Sequence, residues 1–190
     1  MHRAVRMCDA GGMEDSSQDR STELLERLLA AHAESFDIER DASFAGRNFD
    51  AHAQFRQDGE RYVLTRRAKL WGISIFEHLL FQRIDHLSEA VLEDLLTFMR
   101  TEALEEIDLV PDHMTTYLSL VLIADSADEE ALRTLKKTSF RKNFAFGLKG
   151  WTDLRLCAVD LARGKTVSNA QGKELGKTVA ANLALLDTNA

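Results

Sequence analysis

An acid and a lysine on adjacent antiparallel strands can form a small hydrolytic pair, and the stretch from Phe49 to Trp71 has the residues to bring one together. Phe49, Ala51, Ala53 and Phe55 alternate with Asp50, His52, Gln54 and Arg56, the period of a half-buried strand. Asp58-Gly59 follows, and Arg61 to Trp71 is rich in β-branched and aromatic residues. Asp-Gly tolerates positive φ, so a β-hairpin over about 48–71 that turns at Asp58-Gly59 is expected. Asp50 and His52 would share one face of it, and Arg67 and Lys69 one parity on the partner strand. Asp50, His52 and Lys69 are therefore the candidate catalytic residues, for a hydrolase in which they converge in a pocket.

A second candidate is a basic run. Between Ala131 and Thr152 there is no acid, while Arg141, Lys142 and Lys149 are interleaved with Phe140, Phe144, Phe146 and Trp151. Cations for phosphates and ring faces for bases are what single-strand nucleic-acid binders combine. The competing reading, a core-facing Phe144–Phe146 pair beside ordinary surface lysines, is favoured. A third stretch, Gly172-Lys173-Glu174-Leu175-Gly176-Lys177-Thr178, has its first glycine one residue late for a phosphate-binding G-x-x-x-x-G-K-[ST] loop. Gly176 is expected inside a helix, while the helix start near Asn169 to Gly172 can hold an anion. The six histidines form no HExxH, and no GxSxG or Cys/His/Asn arrangement is present. No metal set and no cofactor motif emerges. Cys157, in an apolar run, is expected to be an inert thiol with a raised pKa.

The elements that must carry these residues follow from periodicity. Ser21 or Thr22 is expected to cap a first helix striped by Leu24, Leu25, Leu28 and Leu29. Phe36 to Phe44 reads as a strand. Ile73, Phe76, Leu80, Ile84 and Leu87 fall at helical spacing, predicting a helix over Gly72–His86. Ser88 caps the next helix, with Leu87 and Leu92 as a hydrophobic staple. The run over about 116–124 is apolar without alternation, as in a central strand covered on both faces. Ser126 with Glu129 reads as a capping box for a helix ending at Lys136 and Lys137. Strands near Phe140–Leu148, Leu154–Leu161 and Thr166–Ser168 and a last helix capped by Asn169 complete the chain. The expectation is one α+β (mixed α/β) domain over 21–188, with helices packed on a mixed sheet and a disordered tail over 1–20.

The chain has 190 residues, 45% of them hydrophobic, and a formal net charge of −7. That favours solubility and disfavours non-specific polyanion binding. Two cysteines, Cys8 and Cys157, without CxxC or zinc spacing fit a reduced cytoplasmic protein. No apolar run reaches membrane-spanning length, and residues 1–20 lack the apolar core of a secretory signal. Met13 is a candidate start.

The order helix, three strands, helix, strand over 21–124 resembles the core of the PD-(D/E)xK nuclease superfamily, with Asp50 matching its first metal ligand. The second motif departs: Arg67-Ala68-Lys69 puts a base where the resemblance requires an acid, and a guanidinium there repels a hard cation. Lys142-Asn143-Phe144-Ala145-Phe146 partly resembles the RNP1 signature but lacks its glycine and last aromatic. Gly46 to Ala53, Arg61 to Trp71 with Glu77-His78, His113-Met114-Thr115-Thr116, Phe146 to Trp151, Val159-Asp160-Leu161 and Gly172-Lys173 together resemble an uncharacterised prokaryotic domain family over about 22–186. That resemblance implies a single intracellular domain and assigns no residue a role. The expected function is a non-catalytic binding or accessory domain acting through a protein partner or a homodimer. The alternative is a nucleic-acid or phosphate-ligand module using Arg141, Lys142 and Lys149 on a degenerate nuclease-like scaffold.

Overall fold

Two apolar layers form on opposite faces of one sheet. The computed structural model describes residues 11–62, 69–107, 113–145 and 150–188, with the backbone path alone over 11–19, 57–62 and 69–74 and at 113 and 187. In chain order the elements are α1 (Gly11–His32), β1 (Asp37–Phe44), β2 (Arg47–Tyr62), β3 (Lys69–Leu87), α2 (Glu89–Arg100), α3 (Glu102–Glu105), β4 (His113–Ala127), α4 (Glu129–Lys137), β5 (Arg141–Asn143), β6 (Trp151–Asp160), β7 (Lys165–Ser168) and α5 (Lys173–Thr188). The sheet order is β1-β2-β3-β4-β6-β5, with β7 also on β6. The β3–β4 and β4–β6 pairs are parallel and the others antiparallel, so the fold is α+β with a mixed sheet.

β4 is the central strand that its unbroken apolar run requires. Leu118, Leu120, Leu122 and Ala124 join α2, α3 and α4 on one face, while Val121 and Ile123 join α1 and α5 on the other. All of these β4 residues are fully buried, and a fully buried aliphatic side chain contributes about 1.5–3 kcal/mol.

Four local expectations are corrected. Gly72–His86 is not a helix but lies within β3. Leu79, Leu80 and Phe81 are consecutive and all fully buried, which needs two covered faces rather than one helical stripe. The turn is not at Asp58-Gly59: these residues sit in the ladder opposite Ser74 and Ile73. A turn there would have set Arg66 against Ala51 in a buried position. The observed register instead sets Phe81 against Ala51 and Leu79 against Ala53. The tight turn lies at Ala45-Gly46, with φ of 50° and 77°, closing β1 on β2. Ser126 does not cap α4; it belongs to β4, and Asp128 holds the N-cap position. Ser21 and Thr22 lie inside α1, which begins at Gly11. By contrast, the Ser88 hydroxyl accepts from the Val91 N–H as a cap should.

β1 and β2 change faces partway along. Ile38 packs with the α1/α5 layer and Phe44 with the α2/α4 layer, although both have the same parity. Phe49 and Ala51 divide in the same way. The change occurs where Asp41 adopts φ 49° and the ladder passes from Arg40↔Ala51 to Ala42↔Phe49.

Candidate functional site

Asp50 stands at that break, beyond Ala51, the first β2 residue in the β3 ladder. Its carboxylate accepts the backbone N–H of Arg83 at 2.6 Å and the Arg83 Nε at 2.9 Å. Arg83 in turn donates to the Thr22 hydroxyl on α1 at 2.6 Å. Asp50 therefore fills a gap in strand pairing and ties α1 to the sheet. Two shallow grooves adjoin it, one of about 200 Å³ lined by Ser21, Gln82 and Asp85 among others and one of about 330 Å³ lined by Asp41, Asn48, Phe49 and Gln82, both at or below the lower end of small-molecule site sizes.

His52 serves a different cluster. Its Nε2 lies 3.0 Å from Nδ1 of His78. The ring centroids are 5.2 Å apart, nearly the full sum of that distance and two ring radii, so the two nitrogens lie close to the line joining the rings. That is the geometry of an N–H···N hydrogen bond; nitrogens chelating a metal would converge on a point off the line. The Phe44 ring lies 4.9 Å from His52 and 5.1 Å from His78. Burial pushes His52 below its ordinary pKa, with Glu39 opposing. Lys69 joins neither group. It pairs with Tyr62, twelve residues along β2 from Asp50, or roughly 40 Å at the rise of a strand. The structure therefore does not assemble Asp50, His52 and Lys69 as one site. Arg67 and Lys149 lie outside the described residues, as do Cys8 and Phe146.

The largest polar assembly among the described residues is not legible in the sequence. On the α1/α5 face, Glu77, Tyr117 and Asp153 occupy one rung across β3, β4 and β6, and Ser119 and Arg155 share the next. The Ser119 hydroxyl donates to Glu77 at 2.5 Å, and Arg155 donates to the other carboxylate oxygen at 3.1 Å. The Arg155 guanidinium carbon lies 3.2 Å from the Tyr117 ring centre. Arg141, on β5, donates to both oxygens of Asp153 at 2.6 and 2.7 Å and lies over Trp151. Asp153 raises the Arg141 pKa through this hydrogen bond and its charge. Lys142, the next residue, pairs with Thr152 and is exposed. Phe140 and Phe144 pack on the α2/α4 core, as the core-facing reading of Phe144 requires.

Two further features explain residues that the motif search singled out. Asn169 is 1% exposed. Its Oδ1 accepts the Leu156 and Gly172 N–H groups at 3.0 and 2.8 Å, and its Nδ2 donates to the Leu154 and Thr138 carbonyls at 2.9 and 3.2 Å. It caps the turn into α5 and also fills the edge of β6 between β5 and β7. A Cβ on Gly172 would stand 2.6 Å from the Leu156 carbonyl oxygen, and one on Gly176 2.7 Å from the Ser168 hydroxyl oxygen. These glycines serve close packing, not phosphate. Cys157 is buried, with its thiol pushed up to about 12 by desolvation.

Among the described residues no three His, Cys, Asp or Glu side chains are placed to hold a metal ion, and no helix is long and apolar enough to cross a membrane. A family model, that of a domain of unknown function (DUF8052), matches residues 20–181. No curated protein and no solved structure matches the chain.

Proposed function

The chain belongs to the DUF8052 family of domains of unknown function, and we propose that it is a non-catalytic binding domain working as a homodimer through the polar row of its sheet. One observation supports this above others: the half-buried and buried acids and histidines of the candidate site and the polar row are engaged with neighbouring side chains. Asp50 is held by Arg83, His52 by His78, Glu77 by Ser119 and Arg155, and Asp160 by Arg163. General acid–base and nucleophilic catalysis need such a group within reach of a substrate. A buried, unpaired Cys157 supports a reducing cytoplasmic setting.

The row suits protein contact. Tyr, Trp and Arg are the residue types that concentrate binding energy at interfaces, and Tyr117, Trp151, Arg141 and Arg155 supply all three. Its two arginines offset Glu77 and Asp153, so it is neutral on a chain of net charge −7. Copies repel over most of their surface and least there. A two-fold interface must also complement itself, which a row carrying both signs can do.

Sedimentation velocity at rising concentration tests the homodimer. Wild type shifts from monomer to dimer, whereas Arg155→Glu, which surrounds Tyr117 with three acids, remains monomeric. A wild type still monomeric at roughly 100 µM, where association stronger than about −5.5 kcal/mol would show, overturns the proposal. For the phosphate reading, Arg141 is matched by Asp153, which leaves Lys142 as its support among the described candidates. A labelled single-stranded oligonucleotide is accordingly expected not to bind. Affinity at low salt that falls steeply as salt rises would favour the nuclease-like module instead.

A further inference from the structure

We propose that the His52–His78 pair is a proton-operated latch on the β1–β2 hairpin, holding Phe44 in place until both rings become cations. The argument begins with the bond itself. In the neutral pair one ring nitrogen donates and the other accepts across 3.0 Å. One added proton keeps a donor facing an acceptor, because only one of the two rings is then fully protonated. A second added proton removes the acceptor and sets two N–H groups and two positive charges against each other. The pair therefore takes up protons in two separated steps that belong to both rings together.

The surroundings make the second step consequential. His78 is 9% exposed, so its ring has little room to turn to water. Phe44 touches both rings and is 6% exposed in the α2/α4 core. It closes β1 immediately before the Ala45-Gly46 turn, and β1 ends the sheet with β2 as its neighbour. Separation of the rings removes the surface on which Phe44 rests, and the hairpin end loosens with it.

The charges around the pair are few. Glu39 of β1, opposite His52 in the ladder, favours the first proton. Arg56 of β2 lies over Phe76, two residues from His78 on β3, and opposes further charge there. Arg47, opposite Phe44, is offset by Asp94 of α2 at 2.8 Å. In the sheet, β4 presents Leu118 and Leu120 beside His78 and Leu80, which cannot solvate a second cation.

The test is histidine NMR titration of the full chain together with hydrogen exchange of the β1–β2 turn amides, corrected for intrinsic rates, between about pH 7.5 and about pH 5. Wild type is expected to show two separated steps shared by both rings. Turn protection is expected to fall by up to about tenfold per pH unit between about pH 6.5 and the lower step, and to level below it. His78→Asn places an amide where Nδ1 stood, which can bond His52 in either charge state. Its turn protection is expected to change less than about threefold over the same range. Equal loss of protection in wild type and variant, or independent single-step titration of the two rings in wild type, overturns the latch. His52→Gln, which replaces the other nitrogen, carries the same expectation if His78→Asn fails to fold, and the wild-type titration decides by itself if both fail.

Discussion

Asn169 shows how much one amide can hold. It supplies both a donor and an acceptor to the β6 backbone where β5 has ended and β7 has stopped pairing. Asn169→Ala would leave the Leu156 N–H and the Leu154 carbonyl unpaired in a buried site and is expected to cost about 3 kcal/mol, read as a lower denaturation midpoint. Gly172→Ala is expected to cost about 1–3 kcal/mol through overpacking against Leu156. The sequence marked Asn169 as the residue that starts the last helix, but α5 begins at Lys173 and Asn169 closes the turn before it through the Gly172 N–H. Its second role involves Leu154 and Thr138, which no spacing rule connects to it. His52 has a pH signature of its own. Its folded pKa lies below the ordinary value, so the unfolded chain binds the proton first as pH falls. The stability tied to neutral His52 is therefore complete above about pH 6.5 and declines as pH drops through that value, levelling once the folded ring titrates. Denaturation midpoints at stepped pH are expected to show this slope in wild type and a shallower one in His52→Gln.

At the scale of elements, β3 is the instructive case. Ile73, Phe76, Leu80, Ile84 and Leu87 match a helical stripe, but Leu79 and Phe81 flank Leu80 and would project about 100° to either side of it on a helix. The observed strand sends Leu80 to the α2/α4 layer and Leu79 and Phe81 to the α1/α5 layer. Periodicity does not distinguish a short helix from a strand covered on both faces; the neighbouring strands decide. Leu79→Ala and Leu80→Ala are thus both expected to cost about 2–5 kcal/mol on thermal unfolding, whereas a one-sided helix would tolerate the first. The start of α2 was readable because Ser88 caps it by its own chemistry. The Asp58-Gly59 turn was misread because the burial of Ala51, Ala53, Leu79 and Phe81 fixes the register over a local turn preference.

For the molecule as a whole, what was legible was what lies within a few residues or within one unbroken apolar run: the central strand β4, the buried Cys157 and the place of Gly176 inside a helix. The polar row is hidden because Glu77, Ser119 and Arg155 come from three strands far apart in sequence, and the spacing around Glu77 is that of a helix. Asp50 and Lys69 looked like partners only while the turn was set at Asp58-Gly59. The break at Asp41 has one more consequence. An end strand exposes a row of backbone groups on which another chain could be templated into a growing fibre. β1 swaps faces midway and carries Asp37, Glu39, Arg40 and Asp41 as exposed residues, so no flat incoming strand can follow it along its length. Sheet growth by pairing at β1 is thereby blocked.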